Sequence, residues 1–196
     1  MTLSLCHALE MKTSAEDAIA TTVAWLETIV IDLNLCPFAK AIHVKNRIRY
    51  SVCFATKTGE ILAHLTQELR LLHAAPANEI ESTLLISTEG LNEFASYNNF
   101  LDLCKLLLEE LNLEGIIQIA TFHPDYQFAG TVYSDVTNCT NRSPYPMLHL
   151  LREDSVARAI EITPDIESIY YRNTATMNRL GQAKMDALMR DARLRG

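Results

Sequence analysis

The chain is 196 residues long, 48% hydrophobic and 21% charged, which suits one globular domain over residues 1–196 and excludes a disordered chain. Seventeen Lys and Arg against 24 Asp and Glu give a net charge of −7, which argues against nucleic acid as a partner. Five cysteines, an odd number with no Cys-x-x-Cys pair, fit neither a disulfide framework nor a zinc ribbon.

Met1–Lys12 lacks a basic start followed by an apolar core, so no export signal is expected. Residues 1–13 read as a flexible lead. Glu27 and Asp32 interrupt the most apolar stretch, Ala18–Leu35, so no membrane span is expected either. These features together predict a cytoplasmic protein with reduced thiols.

In chain order, a first helix is predicted from a cap at Ser14, with Ile19, Val23, Leu26, Val30 and Leu33 on one stripe. Pro37 ends it near Asn34, leaving Cys36 at a helix-to-loop junction. A basic segment follows (Lys40, Lys45, Arg47, Arg49), then a strand over 48–54. A second helix opens at Thr58, a short buried strand spans 83–86, a third helix opens at Asn92, and a third strand spans 116–122. Each connection between strands contains a helix. The fold is therefore expected to be α/β, with a small, mainly parallel sheet of three or four strands, flanking helices and extra C-terminal helices.

The pattern stops at His123, and the next twenty or so residues show no helical period, with one short strand expected at 131–133. Ser143-Pro144 then predicts a helix to about Ile162, and Thr163-Pro164 predicts another. The segment from Arg172 carries six Lys or Arg and two Asp, so residues 183–196 read as a basic helical tail.

Ligands in open parallel sheets bind beyond the carboxyl ends of the strands, which singles out His123 as a general base, with Asp125 to orient it. Asn138, Asn141, Arg142 and Ser143 cluster at the expected helix start, where free N–H groups and a guanidinium suit a phosphate or carboxylate. Cys36 is a nucleophile candidate if the fold brings it to His123; its local reading is that of a small buried residue. His149 and Arg152 are expected on one helix face with Glu153, as further ligand contacts or a structural network. His123 and Asp125 with His149 or Cys36 make a weak metal pattern, and no metal site is expected. No cofactor follows, since the dinucleotide and phosphate-loop fingerprints are both absent.

The strings Leu33-Asn34-Leu35-Cys36-Pro37-Phe38-Ala39, Phe122-His123-Pro124-Asp125-Tyr126-Gln127-Phe128-Ala129-Gly130-Thr131 and Thr140-Asn141-Arg142-Ser143-Pro144-Tyr145-Pro146 resemble a bacterial family of unknown function, number 1415. The resemblance runs from about Ala15 to Gly181. It implies a compact cytoplasmic bacterial protein and lends no activity, substrate or cofactor. The leading expectation is an enzyme acting on a small anionic metabolite through a His/Arg site. The alternative is a non-catalytic module that binds a phosphorylated ligand or nucleotide.

Overall fold

A computed structural model describes residues 13–162 and 166–195. Helix α1 (Ala15–Trp25) starts at Ser14, whose Oγ accepts the Asp17 N–H at 3.1 Å. It continues into a wider π-helical turn, Leu26–Ile31. Asn34 then adopts a left-handed φ of 53°, which stops the helix and turns the chain toward Cys36. A short helix α2 (Ala39–Val44) follows.

Strand β1 (Ile48–Cys53), helix α3 (Thr58–Ala74), strand β2 (Ser82–Ser87), helix α4 (Phe94–Glu110) and strand β3 (Ile117–Phe122) alternate as expected. The helical stripes are the ones the spacing gives. Helix α3 buries Ile61, Leu65, Leu69 and Leu72, while α4 buries Tyr97, Phe100, Cys104 and Leu107. A 3-10 turn at Val136–Thr140 sits in the long loop, and residues 131–133 form no strand.

The main departure follows. Ser143-Pro144 starts no helix; the chain instead forms strand β4 (Met147–Arg152), and helix α5 (Glu153–Ile162) begins only after it. The sheet order is β1-β2-β4-β3. Strands β1 and β2 are parallel, while β4 is antiparallel to both β2 and β3. The fold is α/β, but its sheet is mixed rather than mainly parallel. Strands β1, β2 and β3 still run the same way, as helical crossovers require. A connection without a crossover helix brings β4 back between β2 and β3 in the opposite sense.

Alternation along the strands gives two apolar layers. One face carries Leu84, Ile86 and Met147 against Trp25 and Ile29, with Met177 and Met185 from α6 (Ile166–Arg195). The other carries Leu85, Leu148, Leu150 and Ile117 against α3 and α4. The basic tail is helical and also joins the core, since Met185 and Ala192 are buried. Helix α6 bends at Gly181, where φ is 73°; residues 163–165, which include the expected helix start, and 1–12 lie outside the described residues.

Candidate functional site

The loop after β3 is tied to itself. Asn138 is fully buried: its Oδ1 accepts from the Phe128 N–H and the Thr131 hydroxyl, and its Nδ2 donates to the Val132 carbonyl. Asn141 donates to the Thr121 carbonyl at 3.0 Å, and the Ser143 hydroxyl to the Tyr145 carbonyl at 2.6 Å. The polar density that suggested an anion site is thus largely spent on loop backbone. Without a helix at Ser143, no helix dipole points there either.

His123 has no exposed surface. Its Nδ1 accepts the Asp125 N–H and its Nε2–H donates to the Leu91 carbonyl, both at 3.0 Å. The ring packs between Phe94 and Tyr97, with centroids 5.2 and 5.1 Å away. Burial pushes its pKa below the ordinary histidine value, against the smaller pull of the Leu91 carbonyl and the Asp125 charge. A role in proton transfer would first require these backbone contacts to open.

Arg142 is 8% exposed. Its Nε donates to the Tyr126 carbonyl and its Nη2 to that of Tyr133, and the guanidinium lies 4.5 Å from the Tyr133 ring centroid. Arg142, Ser143 and Asp125 line one cavity of about 290 Å³. The His123 imidazole is not among its lining groups, so the two side chains that the expected site would pair do not share this cavity.

A different grouping emerges around Cys36. This half-buried thiol stands between two clefts, of about 700 and 610 Å³. Asn141 lines the larger one. The smaller one lies on the sheet face carrying Ser82, Gln118 and His149 and is walled by Phe38 and Ile42 from the α2 side and Val156 and Ala159 from α5. His149 and Arg152 are strand residues three apart, not partners on a helix face, so they point to opposite sides of the sheet. His149 bonds Ser82 Oγ at 3.0 Å, and burial pushes its pKa down to about 4. Arg152 donates to the Ile80, Leu72 and Ala75 carbonyls, satisfying the open C-terminal end of α3, and still borders the cleft.

Lys45, Arg47 and Arg158 stand at the edge of the same cleft, with Glu81 the acid among them. Glu81 lies 3.7 Å from Arg47 and 3.9 Å from Arg158. Arg158 and the floor residues Ser82 and Gln118 carried no sequence signal. Lys45 and Arg47 did, as members of the basic segment before β1.

Two other features could be taken for sites. Ser51, His64 and Glu68 have the composition of a hydrolytic triad in the wrong order. Ser51 Oγ donates to Glu68 Oε1 at 2.9 Å, so His64 Nε2 donates to Ser51 instead of taking its proton. Arg49 grips the same carboxylate through Nε and Nη2 at 2.7 and 3.0 Å. Burial opposes the Glu68 charge, yet the hydrogen bonds from Arg49 and Ser51 hold its pKa below the usual carboxylate value. Second, a groove of about 390 Å³ between α4 and β3 shares Gln118 with the cleft beside Cys36 and is also lined by Glu153. Among the described residues, no three His, Cys, Asp or Glu side chains converge as a metal ion needs, and no helix is long and apolar enough to cross a membrane.

Fold and clefts define a mixed α/β protein with a central sheet and ligand-sized openings on one face. The chain matches, over residues 17–187, a family described as a protein of unknown function (DUF1415), and it belongs to that family. No curated protein and no solved structure matches it.

Proposed function

We propose that the protein binds a small amphipathic anion, an apolar body bearing a carboxylate or phosphate ester, in the cleft floored by His149. The observation that carries this reading is the distribution of charge: apolar walls below, and Lys45, Arg47 and Arg158 against Glu81 at the edge. Burying an apolar body there contributes about 25 cal/mol per Å². The edge cations then orient its charged end outward. With its pKa near 4, His149 is neutral at pH 7, so the floor offers uncharged hydrogen-bonding groups and repels neither end.

Binding is favoured over proton transfer because His149 bonds Ser82 and His123 spends both ring nitrogens on backbone. We also assign the protein to a reducing cytoplasm, supported by the free thiols of Cys36, Cys53, Cys104 and Cys139.

Calorimetry with octyl phosphate, octanoate, octanol and octylammonium tests the reading. The two anions should bind at least about tenfold more tightly than the alcohol or the cation, which corresponds to about 1.4 kcal/mol. They should also slow alkylation of Cys36. Filling the cleft by Ala159→Trp should abolish both effects. Equal affinity for octanol, or no binding by either anion, would overturn the proposal.

A further inference from the structure

Beyond Gly181, α6 lays Gln182, Asp186, Arg190 and Arg193 across the loop that carries Arg142, along one side of the open cavity of about 290 Å³. Three arginines, Arg142, Arg190 and Arg193, line it. The guanidinium of Arg142 is nine-tenths buried, and among the described residues no carboxylate lies within 4.0 Å of it. Two carbonyls, the Cys139 thiol and one aromatic face surround it, but they supply no counter-charge. A buried cation left in that state costs several kcal/mol unless an anion joins it.

Asp125 and Asp186 also line the cavity, and each is bonded to another of its lining residues. Asp125 accepts from the Tyr133 hydroxyl at 2.8 Å and Asp186 from the Gln182 amide at 2.7 Å. Three cations against two acids leave the cavity with one net positive charge. The two outer arginines are surface side chains on one turn of α6, three residues apart, and long enough to close on a bound group.

We propose that this cavity binds a phosphate-type oxyanion, with Arg142 as the buried anchor and Arg190 and Arg193 as arms from the C-terminal helix. Guanidinium groups suit such an ion because their planar N–H pairs match its oxygens. None of the cavity's lining residues borders the Cys36 cleft, so this site stands or falls independently of the proposal made there.

The test uses the full chain, with inorganic phosphate and glycerol 3-phosphate as probes and chloride at matched ionic strength as control. Phosphate should raise the melting temperature where chloride does not. The Arg190→Ala/Arg193→Ala variant should keep its fold, since both side chains are on the surface, and should bind phosphate at least about tenfold more weakly. Arg142→Lys, checked for folding by circular dichroism, should weaken binding further because it loses the planar fork. Tighter binding of the ester assigns the site to a phosphorylated metabolite, and tighter binding of the inorganic ion assigns it to free phosphate. A phosphate effect no larger than that of chloride, or a double variant that binds as well as the parent, would overturn the proposal.

Discussion

Acid should destabilise this protein partly through His149. The folded chain holds that imidazole at about 4, against 6.5 for a free one. As pH falls, the unfolded chain takes up the proton first, so stability is full above about 6.5 and is lost progressively toward about 4. The gap is worth about 3 kcal/mol at most, at roughly 1.4 kcal/mol per pH unit. Water reaches the half-buried ring through the cleft, which lowers the expected loss to about 1–2 kcal/mol by roughly pH 5. The measurement is urea denaturation of the parent and His149→Gln at a series of pH values. Glutamine keeps a hydrogen-bonding partner for Ser82 but does not titrate. His123, also held below its ordinary value, is present in both proteins and cancels. The parent should lose about 1–2 kcal/mol more than the variant between pH 7 and roughly pH 5. Parallel curves would refute the depressed pKa of the half-buried imidazole.

Three further substitutions concern the frame. Glu68→Gln should cost about 2 kcal/mol in urea denaturation, less than a fully buried pair because the Arg49 side chain is 38% exposed. That contribution should fade as pH drops below about 4.5; a cost under a few tenths would show that the network is solvent-screened. Gly90→Ala should cost about 1–3 kcal/mol, because its new methyl would stand 2.5 Å from the Ala55 carbonyl oxygen and 2.7 Å from Ile61 Cδ1. Gly59→Ala, with nothing within 4 Å in the first turn of α3, should instead stabilise by up to about 1 kcal/mol, and melting temperatures that move together would contradict this.

The sequence displays some of this architecture and hides the rest for definable reasons. Helices α3 and α4 each bury one side, so their periods stand out. Strands β1, β2 and β3 are bounded by turns and separated by helices. Strand β4 is central and covered on both faces, so Met147–Arg152 shows no alternation and its leucines read as helix. Pro146 was the available signal, since two prolines spaced as Pro144 and Pro146 favour extended backbone at Tyr145.

The candidate site divides along the same line. Cys36, His149 and Arg152 do border one cleft, but the juxtaposition depends on β4 lying beside β2, which no local pattern encodes. Arg142 keeps its cavity with Ser143 and Asp125, although Asn138, Asn141 and His123, also expected to accompany it, bond to backbone instead. Its new companions, Arg190 and Arg193, lie in the basic tail, where composition showed the charge but not what it faces.

The middle of the sheet is the last part of it to be made. During synthesis β2 and β3 emerge with nothing to join them, and each presents a bare hydrogen-bonding edge until Met147–Arg152 slots between. Nascent or prematurely terminated chains ending before that segment are consequently two sticky fragments, prone to clumping. One late strand thus serves as a keystone, and the arch stands only when translation has passed it.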